Sequence, residues 1–436
     1  MLYVFTTQTS ARLKYILDEL IGRRMGIDFL VTSNADEFRK FKGAKINYNE
    51  TISDDAINIT PYPLLFENEI CEQKTEVKNH PEWNKIFFEN LSDIPFDIFA
   101  ASFFLLSRYE EYLPHKNDEH GRYSHEQSCA GKNNFIEIPL VDTWAQQLKE
   151  KVLRRFPSTD YQQNHFKFLS TIDLDFAYKY KGISFARQAM KFCKSLLQGH
   201  FNDCIEQIKV VSGVKKDPYD TYDFIQNIAD QNSLPLKYFI LMRTGTKHDK
   251  NIVPESETMK TLVKKLSKNN ETGLHPSYFS DGENKLKEEK KLLEKSLQKN
   301  ISNSRQHFLK FSLPQTYRQL INCGFTADYS MAYSTVCGFR ASTSFPFYFF
   351  DLVKNEQTNF IIYPTTLMDV TLKNYQRLSP GQALNKIEQL MNEVKKVNGT
   401  FISLWHNSNL CEDKEWIGWR EVFEKLHTLA TIKNTP

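Results

Sequence analysis

Closely spaced cysteine pairs are missing from this chain. Its seven cysteines (Cys71, Cys129, Cys193, Cys204, Cys323, Cys337 and Cys411) are scattered, odd in number and contain no CxxC. That pattern excludes a disulfide framework and reads as buried or free thiols in a reducing compartment. No run of about 18 apolar residues occurs, so no membrane-spanning helix is expected. A strong basic excess is lacking too. The net charge is +3 over 436 residues, which argues against a dedicated nucleic-acid binder. The opening "MLYVFTTQTSARLKYILDELIGRRMGIDFLVTS" has no basic start and no continuous apolar core. No signal peptide is therefore expected, and a cytoplasmic location is the default. No internal repeat is visible.

What the chain does have is apolar and aromatic material: 40% apolar residues and 13% aromatic, with 33 Phe and 20 Tyr. A chain of this length and composition can bury two or three sizeable cores. The first thirty residues read as strand ("LYVF"), amphipathic helix ("SARLKYILDELIGRRM") and strand ("IDFLVT"), with Ser10 as N-cap. "DIFAASFFLLSRYEEYLPHKNDEHGRYSHEQSCA" joins an apolar helix to a polar loop rich in His and Glu, and Ile138 to Phe156 reads as a closing helix. The polar "PSTDYQQNH" after it sets a boundary near residue 160: a smaller α/β domain at 1–160, then a second domain at 161–436.

In that second domain, "FKFLSTIDLD", "LKYFILM", "TGLH", "RQHFLKF", "GFTADYS", "NFIIYPTT" and "TFISLWH" are strand candidates, with helical or irregular stretches between them. The pattern predicts a parallel α/β barrel or a doubly wound sheet. Gln188 to Tyr222 reads as two helices inserted after the first of these strands, with Lys215 and Lys216 on a solvated face.

In parallel α/β folds, functional groups gather at the C-terminal ends of strands. Several candidates finish there in residues capable of chemistry: Asp173 and Asp175, His275, Asp328 and His406. Asp173 and Asp175 sit two apart and so share a strand face. Two like charges there raise each other's proton affinity unless a positive group lies beside them. Arg305 and His307 share one face of the "SRQHFLKF" strand candidate. Taken singly, each residue has an ordinary structural reading, as a solvated strand end, a salt-bridged arginine or a satisfied polar histidine.

Taken together and in order, "TIDLD", "GLHPSY", "SRQHF…LPQTYRQLINCGFTADYS" and "ISLWH" resemble the polysaccharide deacetylase family over roughly residues 165–410. The N-terminal part resembles the accessory domain ahead of a divergent subgroup. The resemblance implies an α/β fold of the distorted (β/α) barrel type preceded by the smaller α/β domain. It implies that Asp173 is a general base, Asp175 and His275 are metal ligands, Arg305 orients the base and His406 is the general acid. A divalent ion, Zn²⁺ or another first-row metal, suits oxygen and imidazole donors.

The chain departs from the family pattern where a second metal-binding histidine is usual, because Phe279 stands there. His307 is the expected replacement ligand. Asp328 is expected to support the site by touching Arg305 or the acidic histidine. Arg340 in "CGFRASTSFPF" is a candidate substrate-binding residue, with a surface or salt-bridged arginine as the equal alternative. Asp369 follows another strand, where reaching the site mouth competes with the more ordinary reading as a loop acid or helix cap. His115 to His125 reads as loop solvation or a domain contact, and "SRYEEY" as a structural ion pair. The implied activity is metal-dependent removal of an N-acetyl or other amide-linked acyl group from a small-molecule, oligosaccharide or glycan-precursor substrate. The competing expectations are an inactive carbohydrate-binding protein and an N-terminal interaction module.

Overall fold

A computed structural model describes residues 1–280 and 282–432. Four parallel strands open the chain: β1 (Leu2–Phe5), β2 (Phe29–Thr32), β3 (Ala44–Tyr48) and β4 (Ile57–Ile59), ordered β2-β1-β3-β4. The Ser10 hydroxyl accepts from Leu13 N at 2.9 Å and caps the helix Ala11–Leu17. A small antiparallel pair follows, β5 (Lys78–His80) with β6 (Asn84–Ile86). The helix Ile98–Leu106 has no polar face, and all nine of its residues are buried, as an all-round apolar helix must be.

The larger sheet holds nine strands. They are β7 (Lys167–Leu174), β8 (Leu236–Leu241), β9 (Glu271–His275), β10 (Asn303–Ser304), β11 (Ala327–Asp328), β12 (Phe347–Asp351), β13 (Glu356–Ile362), β14 (Leu367–Met368) and β15 (Thr400–His406). Their order is β12-β13-β11-β10-β9-β8-β7-β15-β14, parallel throughout except for β12 against β13. The sheet curls but stays open, since β12 and β14 are its two edges. Register brings the strand ends together: His406 lies opposite Asp173, and Leu241 opposite His275.

Two expected strands shrink to two residues each. Of "SRQHFLKF" only Ser304 pairs, together with Asn303 before it, because Phe308 and Leu309 take left-handed φ of 62° and 52°, which no strand accommodates. His307 therefore sits in a short 3₁₀ turn, His307–Leu309, and not on a strand face shared with Arg305.

One hydrophobic core runs through residues on both sides of position 160. Arg24 donates from Nε to Asp142 Oδ1 at 2.9 Å and from Nη2 to Thr343 Oγ1 at 3.0 Å. Arg340 belongs to this junction and not to a substrate surface, which corrects the sequence expectation. It is buried, donates to both carboxylate oxygens of Glu111 at 3.0 and 2.6 Å, and lies over the Phe311 ring. Burial alone would push the Glu111 carboxyl up, but Arg340 and Arg108 outweigh it and hold the group at about 2. Arg340→Leu leaves that carboxylate buried beside Arg108 alone, so stability is expected to fall by about 3–5 kcal/mol in urea denaturation, with bound metal unchanged in the folded fraction.

His427, on the helix Trp419–Thr431, is wholly buried between Phe423 and Phe168. Burial lowers its pKa to about 4, against the pull of the Phe423 carbonyl that its Nδ1 contacts at 2.7 Å. A histidine depressed in the folded state stabilises fully above its ordinary value near 6.5 and loses that contribution as pH falls toward 4. The loss amounts to about 3 kcal/mol. A His427→Phe variant should therefore lose less stability than the wild type between about pH 7 and pH 4, read from paired denaturation curves.

Candidate metal centre

β7 delivers two carboxylates to the curled end of the sheet, Asp173 within the strand and Asp175 just past its last residue. Arg305, directly after β10, is fully buried and reaches across the sheet. Its Nη1 donates to Asp173 Oδ1 at 3.0 Å and to Thr171 Oγ1 at 2.6 Å. Its Nη2 donates to Thr365 Oγ1 at 3.0 Å, and its Nε to the Tyr329 carbonyl at 3.1 Å. Every arm of the guanidinium is thus committed, and Asp173 is held by one oxygen only. Its other oxygen lies 3.7 Å from His275 Nε2.

Asp175 faces three imidazoles. His275 Nε2 stands 3.1 Å from Oδ1, while His307 Nε2 and His406 Nε2 stand 3.4 and 3.5 Å from Oδ2. In each ring the other nitrogen is occupied by an acceptor. His275 Nδ1 lies 2.6 Å from the Arg305 carbonyl, His307 Nδ1 3.0 Å from Asp249 Oδ1, and His406 Nδ1 2.8 Å from Asp369 Oδ1. An acceptor fixes the proton on Nδ1, so a neutral ring presents a bare lone pair at Nε2. The short His275–Asp175 approach is then lone pair against lone pair, and Asp175 Oδ1 is buried without a hydrogen-bond donor.

Two arrangements relieve that conflict: extra protons on the rings or a cation among them. Without a cation, burial would raise Asp175, but His307 and His406 hold it well below the usual carboxylate range. Burial would lower the two histidines. Asp175 and Asp249 instead carry His307 up to about 9, and Asp369 and Asp175 carry His406 to about 10.

The donor set fits a divalent ion. One carboxylate oxygen and one nitrogen each from Asp175, His275 and His307 lie within 4.8 Å of one another. Donors around a tetrahedral zinc with bonds of about 2.1 Å stand about 3.4 Å apart, near the 3.1 Å from His275 Nε2 to Asp175 Oδ1 and the 3.4 Å from His307 Nε2 to Oδ2. The second ring nitrogens bonded to a carbonyl and to a carboxylate are the usual outer support of metal-binding histidines.

His307 joins this cluster although its segment is a turn, because its backbone N–H bonds the Pro276 carbonyl next to His275. Asp249 escaped the sequence reading. It lies in the loop after β8, fully buried, and also accepts from Tyr278 N at 2.9 Å and Thr246 Oγ1 at 2.7 Å. Its only sequence signal is an acid a few residues beyond a strand end. Asp369, read as a loop acid, just follows β14 and grips His406 twice, through Nδ1 and through the backbone N–H at 2.8 Å.

Asp328 does not join the cluster, a second correction. Its carboxylate is satisfied by Ser304 Oγ at 2.8 Å and by Ser330 through N at 2.7 Å and Oγ at 3.0 Å. Burial raises it to about 6. It bonds neither Arg305 nor His406.

A cavity of about 170 Å³ opens beside the cluster, with Phe308, Leu309, Met368 and Leu404 as apolar wall. Arg122, from the N-terminal part, completes the rim, its Nη1 donating to the Phe308 carbonyl at 3.0 Å. The loop His115–His125 is thus a contact between segments: His120 Nδ1 meets the Tyr278 hydroxyl and His125 Nδ1 the Thr335 hydroxyl, both at 3.0 Å.

Residues 2–157 match the model of a family of unknown function, DUF7033. No curated protein matches the chain. Among solved structures it is similar to a protein from Mycobacterium smegmatis assigned as a polysaccharide deacetylase, at 12% identity and a TM-score of 0.40, covering 61% of this chain and 85% of that one. It is also similar to a polysaccharide deacetylase from Bacillus cereus at 12% identity and a TM-score of 0.29, covering 61% and 86%. A PuuE allantoinase is similar at 10% identity and a TM-score of 0.35, covering 60% and 83%.

If Asp175, His275 and His307 hold one ion, purified protein carries close to one equivalent of divalent metal by elemental analysis. Asp175→Ala and His275→Ala each abolish it, and His307→Ala reduces it by at least about tenfold. Full metal content in any of the three variants would contradict the ligand set.

Proposed function

We propose that the chain is a metal-dependent hydrolase that removes an N-acetyl or other amide-linked acyl group from a sugar-containing substrate. The observation that carries this reading is the Asp175 oxygen buried without a donor, beside three imidazole Nε2 atoms that approach its carboxylate to 3.1–3.5 Å. Asp175, His275 and His307 would hold a divalent ion, which would supply Lewis acidity toward a carbonyl oxygen and a water.

The chain's own groups supply the proton transfers. Asp173, tethered by Arg305 through Oδ1, keeps Oδ2 for the proton of the attacking water. His406, which lines the cavity with Nε2 3.5 Å from Asp175 Oδ2, delivers a proton to the departing amine. Asp369 holds that ring in place and favours its charged form. Leu309, Met368 and Leu404 offer an apolar seat for the acyl methyl group, and the small cavity suits one acyl group rather than a buried polymer.

Release of acetate from a panel of N-acetylhexosamines and their oligomers tests the reading. Asp173→Asn and His406→Gln are each expected to lower turnover by about 10²–10⁴ while retaining metal. A competing reading, sugar binding without catalysis, draws support from Phe279, which stands exposed where the resembling family has its second histidine. Metal-free protein that binds the same sugars and releases no acetate would favour it.

A further inference from the structure

Nearly half of the exposed large hydrophobic side chains among the described residues fall in the single stretch Phe185–Val214. This stretch is a helical hairpin, Phe185–Leu197 packed beside Phe201–Val211. No residue of the first helix is buried, so it stands outside the fold as a ridge. Phe185 and Leu197 are each 88% exposed.

In the second helix the usual amphipathic order is inverted. Cys204, Gln207 and Val210 face inward, while Phe201, Ile205 and Ile208, spaced by four and three, share the outer face. An apolar stripe of this kind is a surface that another phase covers.

Charge identifies that phase. From Lys181 to Lys216 there are seven basic residues and only two acidic ones, in a chain whose net charge is +3. The two acids are already paired, Asp203 with Lys414 and Glu206 with Lys179 and Lys215. Lys194 lies four residues after Met190, and Lys209 four after Ile205, so both border the stripe. Neither has an acidic partner among the described residues. Long basic side chains flanking an apolar helical face are the pattern of helices that lie in a bilayer interface. A second copy of the chain would bring the same cations against one another. No helix of the described residues is long and apolar enough to cross a membrane.

The hairpin is anchored at the end of the sheet that carries the candidate metal-ligand cluster. Arg187 donates to Thr244 Oγ1 and the Asn251 carbonyl after β8, and Lys179 and Asp203 pair with Asp413 and Lys414 after β15.

We propose that the hairpin Phe185–Val214 is a membrane-surface docking element that lays its apolar stripe into the headgroup layer of an anionic bilayer, with Lys194 and Lys209 at the lipid phosphates. It stands independently of the reaction proposed above.

The test is flotation of the full chain with vesicles of phosphatidylcholine mixed with phosphatidylglycerol, and with phosphatidylcholine alone. The wild type is expected to float with the mixed vesicles, more weakly with the neutral ones, and less as salt rises. Combining Leu197→Glu with Phe201→Glu is expected to cut partitioning by roughly tenfold or more. Both side chains are exposed, so circular dichroism and melting temperature should stay as in the wild type. The proposal is overturned if the wild type stays with the soluble fraction, or if the folded double variant floats equally well. It is also overturned if the wild type forms a concentration-dependent oligomer that the double variant dissolves, because the stripe would then be an interface between copies.

Discussion

Everything at the curled end of the sheet answers to one electrostatic problem: a largely buried carboxylate, Asp175, crowded by three imidazoles whose other nitrogens are each taken by an acceptor. Three neighbouring acceptors, the Arg305 carbonyl, Asp249 and Asp369, create the problem by fixing each ring proton on the far nitrogen. Left alone, such a group would be among the more costly a fold can bury. The surrounding structure nonetheless leaves it only 17% exposed, which is the expected behaviour of a site shaped around a positive charge.

Arg305 shows how the fold sustains this arrangement. Its side chain steadies Asp173 while its own carbonyl orients His275, so one residue ties the base candidate to a ligand candidate. The sheet register does similar work from the other side, setting His406 opposite Asp173. The spacing between Asp173, His275 and His406 therefore depends on strand pairing, the most rigid element available.

The strand-end positions of Asp173, Asp175, His275 and His406 were legible because a parallel sheet gathers its C-terminal ends regardless of crossover length. His307 was legible as a ligand candidate, but for the wrong local reason. It comes from a left-handed turn and not from a strand face. Asp249 and Asp369 were illegible as partners because their hydrogen bonds span 58 and 37 residues, and nothing in local spacing points across such distances. Arg340 and Asp328 misled for a related reason. Each looks available in sequence, and each is consumed by a buried partner, Glu111 or the serines 304 and 330. The two inserted helices between Gln188 and Tyr222 were legible as helices, but their outward apolar face was not, since inward and outward apolar faces have the same period.

The ligand candidates leave the chain at three separate strand ends, β7, β9 and β10, at positions 175, 275 and 307. In a motif whose histidines occupy adjacent turns of one helix, an ion merely decorates a segment that is already formed. Here it would staple three strands across a chain separation of more than a hundred residues, closing loops whose entropy the polypeptide otherwise bears alone. Occupancy would accordingly be felt as rigidity along the whole rim, so that loading the protein and finishing its fold become a single event.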